Sequence, residues 1–510
     1  LRRQLEQEAI PRFLPGQRWC AEQDAPPGPV HIEDLGVWSA RAGEWLLCVV
    51  SVERAERATQ RYLLPLALAW EGGDEDRLLA LGPVTLARVR QRARVGVLHD
   101  AFADDAFCRE LLRAIGRGER LAVGESRIVF APTSAYATLS AGLPAEPALR
   151  RLTEASNNAI VFGERLFLKG TRRLRAEFNL EREMGQFLTE RAPGVRVVPT
   201  GGSVDLHQPD GTVTTLAVLQ GYVENQGDAW SYTSAYLERF LRQALAAPPG
   251  QSAAGEEAHA TYCLLMTTLG RRTAELHAAL AAAEGDPAFA PEPMAPGEPA
   301  AWAEAVAADL DSALRTLRQR LEGLGGPALA AAGALLGKVG ELHRRLSSLG
   351  LPVEAVKTRL HGDFHLGQVL IAGSDVMLTG FGRGQGRESG PEGALHSPLK
   401  DVAGLLRSID RSAASVARLT AERPEDLAVV EPLVDAWRAA ARGAFLEGYR
   451  EGIAGCPVWP TRPGDAERLI TLFCLEKATQ ELREELASRP ERIGVPIAGL
   501  LQALARPEAL

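Results

Sequence analysis

One segment concentrates side chains able to do chemistry: His361-Gly362-Asp363-Phe364-His365-Leu366-Gly367-Gln368. A carboxylate beside glycine on a loop can stand exposed while the flanking elements hold it still. Asp363 in that setting suits a base or an orienting group for a hydroxyl. Gln368, five residues on, has a side-chain oxygen that can turn back towards the same space as a cation ligand. The plain alternative is a polar turn with a capped aspartate. His361 and His365 are four apart but lie on a loop rather than on one helix face, which argues against a zinc site. No serine sits in a Gly-x-Ser-x-Gly setting, so acyl transfer has no support. Gly380, Gly382, Gly384 and Gly386 alternate without the spacing of a dinucleotide fingerprint.

Such a loop needs elements to hold it. It follows a helical pattern and precedes two short apolar runs, 369–371 and 376–379, that read as a hairpin. Upstream, Lys169 ends a strand over 166–169, and 175–191 is helical with Leu180, Met184 and Phe187 on one face. Taken alone, Lys169 is an ordinary strand-end lysine. The first part of the chain is rich in short strands, at 30–35, 45–52, 61–69, 126–132, 159–162, 195–199 and 214–223, with a helix over 104–116. After 223 the pattern turns helical, at 235–246, 257–283, 300–321, 328–349, 429–452 and 465–488, with a Pro-rich linker at 285–297. Strands followed by helices predict an α+β, two-lobe layout.

The chain has 510 residues, 46% hydrophobic and 24% charged, which is globular composition. A net charge of −8 argues against a nucleic-acid partner. No apolar run approaches the roughly 20 residues of a membrane span. The charged, helix-patterned residues 1–12 do not read as a secretory leader. Six cysteines without CxxC spacing predict reduced thiols and a cytoplasmic location. No fixed-period repeat is present.

His361 to Gln368 resembles the catalytic loop of the aminoglycoside-phosphotransferase and choline-kinase-like superfamily, relatives of the protein kinases. Several runs resemble the maltokinase family more narrowly. These are Phe13-Leu14-Pro15 with Arg18-Trp19, Leu64 to Ala69, Gln220 to Val223, Asn225 to Trp230, Gly270 to His277, Asp286 to Pro293, Ser397 to Gly404 and Glu476-Lys477-Ala478. The resemblance implies a bilobal protein-kinase-like fold: an N-terminal cap over 1–95, an N-lobe over 96–223 and a helical C-lobe over 224–510. It implies ATP and Mg2+ as cofactors, maltose as acceptor, maltose 1-phosphate as product on a route to glycogen, and a trehalose synthase as partner.

Roles carry over by position. Asp363 is the implied catalytic group and Asp401 the brace of its loop. Lys169 is the phosphate-binding lysine with Glu183 as its ion-pair partner. Asn157 and Asn158 belong to a phosphate-covering turn, and Gln220 to Val223 to an adenine-binding hinge. Gln368 is a metal ligand, and His361, Glu476 and Arg483 face the sugar. Two departures stand out. The family's Asp-Phe-Glu, whose Asp carries the metal, is here Gly380-Phe381-Gly382, which raises the alternative of an impaired pseudokinase that binds or scaffolds. The aromatic residues expected after Ala478 are Gln480 and Glu484, which raises the alternative of another acceptor such as an amino sugar.

Overall fold

The computed structural model describes residues 2–20, 28–54, 57–72, 75–153, 157–174, 179–247, 259–283, 285–382, 394–421 and 423–505. Two compact units account for the chain: 1–193 with 198–224, and 194–197 with 225–510.

The first unit holds two antiparallel sheets. β1 (Val30–Ala40), β2 (Gly43–Arg54), β3 (Arg57–Trp70), β4 (Thr85–Gln91) and β5 (Arg94–Asp100) form one, ordered β1-β2-β3-β5-β4. Helix α1 (Asp105–Arg117) comes next, its first turn capped by the Asp104 carboxylate and its end closed by left-handed Gly118. The second sheet contains β6 (Arg120–Val123), β7 (Ser126–Pro132), β8 (Leu149–Thr153), β9 (Asn157–Phe162), β10 (Leu166–Thr171), β12 (Thr200–His207) and β13 (Val213–Gly221), ordered β6-β7-β12-β13-β10-β9-β8. Between β10 and α2 (Leu180–Arg191), the two-residue β11 (Arg173–Leu174) pairs with β3 of the first sheet. One apolar core runs through both sheets and α1, with Trp38, Trp45, Phe107 and Phe130 in mutual ring contact. The strand expected over 195–199 is displaced: β12 starts at Thr200, and Val197 instead bridges Leu378 in the second unit.

The second unit is mostly helical. Its longer helices are α3 (Ala229–Ala246), α4 (Ala260–Ala281), α5 (Glu298–Arg320), α6 (Gly326–Leu336), α7 (Val339–Leu349), α8 (Leu399–Thr420), α9 (Pro424–Ile453), α10 (Asp465–Ser488) and α11 (Gly494–Ala505). The single helix expected over 328–349 is two, interrupted at Gly337-Lys338. Inside the expected linker, β14 (Glu292–Pro293) pairs with β15 (Val356–Lys357). The predicted hairpin forms as β16 (Val369–Ala372) and β17 (Asp375–Leu378). α4 and α9 pack so closely that Gly270 and Gly448 meet the facing backbone, where a Cβ would lie 2.1 Å from Phe445 O and from Thr267 O respectively. The α+β expectation and the kinase-like fold both hold.

Candidate active site

In the second unit the loop from His361 to Gln368 lies between β15 and the hairpin, braced by the first turn of α8. Buried Asp401 accepts the backbone N–H of His361 at 2.7 Å and of Gly362 at 3.1 Å, and contacts His277 Nε2 at 3.3 Å. Burial pushes its carboxyl pKa up, but the His277 hydrogen bond, the fields of His277 and His361 and the His361 N–H hold it below the usual range. His277, on α4, is fixed by Tyr449 from α9 at 2.8 Å. Sequence reading placed Asp401 but missed this His277–Tyr449 support, because the three residues come from separate helices.

Asp363 sits on the braced loop, partly buried. Burial opposes its charge. The hydrogen bond and field of His365, with the fields of Lys477 and His361, outweigh that and keep the carboxylate below its usual range. His365 Nε2 is 3.7 Å from Asp363 Oδ2 and 3.4 Å from Gln368 Nε2. Its Nδ1 accepts the Gly367 N–H at 3.1 Å, so in the neutral ring the proton is on Nε2 and faces Asp363. His365 and Lys477 are thus neighbours of Asp363 to which the motif assigned no role.

Three residues expected to face sugar are placed differently or are already paired. His361 is fully buried and packs on Phe364 and Phe381 at 4.9 and 4.7 Å, and its Nε2–H donates to Thr379 O at 2.9 Å. It is therefore a structural residue, held neutral by burial, and not a substrate contact. Glu476 is bound by Lys400 at 2.7 Å, and Arg483 by Asp309 at 3.2 Å.

The metal position is filled by protein. Gly380 is left-handed at φ +75°, and a Cβ there would lie 1.8 Å from Gln368 Oε1. The amide expected to ligate a cation thus packs onto the glycine that replaces the aspartate. Asp375, at the hairpin turn, is held by Arg272 at 2.8 and 2.9 Å and by Arg196 at 3.2 Å. Glu388 and Glu392 lie outside the described residues. The donors among the described residues do not fit a carboxylate-held Mg2+.

The nucleotide-directed residues lie in the first unit. Lys169, on the central strand β10, is 6% exposed and donates to Glu181 Oε2 at 2.6 Å. The acidic partner is Glu181 and not Glu183. Asn179 caps α2 through the Arg182 N–H, and from that cap Glu181 is the second helical residue, buried, while Glu183 lies about 200° further round. Asn157 and Asn158 are the first residues of β9 instead of a turn, and the Asn158 side chain faces the Arg172 guanidinium. Gln220 is buried in β13 opposite Phe167, and Tyr222 N donates to Arg165 O at 2.7 Å. Arg172 is also no solvated strand end. It is buried, bonded to Asp100, and stacked by Trp19 and Phe102 at 4.9 and 4.5 Å.

The two units together define an α+β kinase-like protein, and comparisons narrow the likeness. No family profile matches the chain. A glucosamine kinase of Streptacidiphilus jiangxiensis is 27% identical over 413 residues, covering 78% of this chain and 82% of that one. A glucosamine kinase of Mycolicibacterium smegmatis is 27% identical over 276 residues, 51% of this chain and 57% of its own. Among solved structures, a glucosamine kinase in complex with glucosamine, ADP and inorganic phosphate superposes with TM-score 0.65 at 20% identity over 98% of both chains, which establishes likeness of fold. Maltokinase, to which the motifs pointed, is not among these relatives. Among the described residues no helix is long and apolar enough to cross a membrane.

Proposed function

We propose that this chain is an ATP-dependent sugar kinase whose acceptor is an amino sugar of the glucosamine class, acting in the cytoplasm. The likeness to a glucosamine kinase carries this reading, because it is too long to fit within either unit alone. The acceptor end of α10 is consistent with it. Where rings for stacking were expected, Gln480 donates to Glu484 at 3.1 Å on an exposed face, and carboxylates suit a protonated amine.

In this reading Asp363, ionised and fixed by the Asp401 brace, orients the acceptor hydroxyl and takes its proton. Phosphoryl transfer asks mainly for positioning and charge stabilisation. Lys169, positioned by Glu181, supplies a fixed cation for the nucleotide phosphates. No step is assigned to Mg2+, since the donors do not fit it.

A panel assay of ADP release with glucosamine, other amino sugars, maltose and other disaccharides tests the proposal. Turnover with an amino sugar above all others is the expected result. Turnover with maltose alone would move the acceptor back to maltokinase chemistry, and none with any sugar would reject the kinase. The packing at Gly380 favours one second reading: a pseudokinase that binds nucleotide without turnover, for which a trehalose synthase remains the partner implied by resemblance.

A further inference from the structure

We infer that the catalytic hairpin has closed its own cation position, so that nucleotide binds this chain without a divalent ion held at the hairpin exit. The inference rests on the nucleotide-binding part of the proposed function and adds how the phosphates are met.

The closure is steric and held from several sides. Gln368 Oε1 occupies the place of a Cβ at 380, with its Cδ 2.6 Å from that point. The amide cannot be viewed as a loosely swung side chain, because its nitrogen lies 3.4 Å from His365 Nε2. The backbone around it is pinned as well. Thr379 N donates to Gln368 O at 3.0 Å, Gly382 N donates to His361 O at 2.8 Å, and His361 Nε2 donates to Thr379 O. Phe381 between the two glycines is buried against His361. Gly380 and Gly382 are both left-handed, at φ +75° and +70°, where a side chain costs roughly 1 kcal/mol even without a clash.

The neighbouring anions are committed elsewhere. Asp375 serves Arg272 and Arg196, and Asp401 serves the loop N–H groups. Mg2+ is held by rigid octahedral oxygen sets that include carboxylates and phosphates. The hairpin exit offers it a neutral amide that is already packed.

The test is calorimetric titration of a non-hydrolysable ATP analogue with EDTA and again with saturating Mg2+. Affinities within about threefold of each other support the inference, and a larger gain with Mg2+ overturns it. Binding in neither condition overturns the nucleotide reading itself, so the two failures are distinct. A ligand-free measurement stands beside it. Gly380→Asp should lower Tm and gain no Mn2+ affinity by electron paramagnetic resonance, and adding Gln368→Ala should recover part of the Tm loss. A Gly380→Asp variant as stable as the parent, or one that binds Mn2+ appreciably tighter than the parent, would show the position open and sink the closure.

Discussion

Asp363 is the side chain on which turnover depends in the proposed mechanism. Asp363→Asn keeps the shape and removes the base, and is expected to lower kcat by roughly 10²–10⁴ with little change in nucleotide KM. Steady-state ADP release measures it, and a variant within a few-fold of the parent would strip Asp363 of its role. A second residue reports on folding instead. His396 stacks on Trp302 at 4.2 Å, accepts the Ser397 N–H at 2.8 Å, and is pushed down to about 3 by burial, assisted by Lys400. Its folded pKa is depressed, so its contribution is complete above the unfolded value of about 6.5 and fades as pH falls towards about 3, at about 1.4 kcal/mol per pH unit. His396→Phe is expected to flatten the stability profile over that window by about one proton, as read by urea unfolding at stepped pH. An unchanged slope would contradict it. The catalytic loop was legible because its chemistry is packed into eight consecutive residues. The partner of Lys169 was not, since two acidic residues compete and only the position of the Asn179 cap chooses Glu181.

Elements with strong periodicity were read well: 465–488 is α10, and the hairpin after Gln368 falls within a residue of β16 and β17. Patterns failed where the backbone interrupts an apolar face. Gly337-Lys338 splits one amphipathic pattern into α6 and α7, and 195–199 is apolar without being a ladder strand. Charges between helices were invisible for another reason, since each looks like a solvated residue on its own helix. Arg407 on α8 is 3% exposed and joins Glu481 of α10 at 2.7 Å and Asp410 at 3.4 Å, while Arg442 of α9 reaches Asp410 at 2.8 Å. This network fixes the register of α10, the helix that carries Lys477. Glu481→Ala leaves Arg407 buried beside one fewer anion, and a loss of about 3–5 kcal/mol is expected by denaturant unfolding. A loss below about 1 kcal/mol, the value of an exposed pair, would mean that water enters the network.

At the scale of the molecule, the first ninety-five residues were expected to be a separable cap. They are instead built into the rest of the first unit: Arg173–Leu174 pairs with β3, Leu63 N donates to Arg172 O at 2.9 Å, and Trp19 stacks on Arg172. Deleting residues 1–95 strips Arg172 of Trp19 and of the Leu63 contacts. The truncated chain is expected to lack a cooperative thermal transition for the first unit, and a sharp transition at the parent Tm would show an independent cap. The assignment of 194–197 to the second unit has a practical result of its own. Arg196 O accepts the Leu378 N–H at 2.9 Å, and the Arg196 guanidinium reaches Asp375, so a tetrapeptide from early in the chain finishes the edge of the catalytic hairpin. No single scissor cut can therefore free the helical half intact. A fragment begun at 225 is born with its hairpin unfinished, and during synthesis that edge waits for its partner through almost two hundred intervening residues.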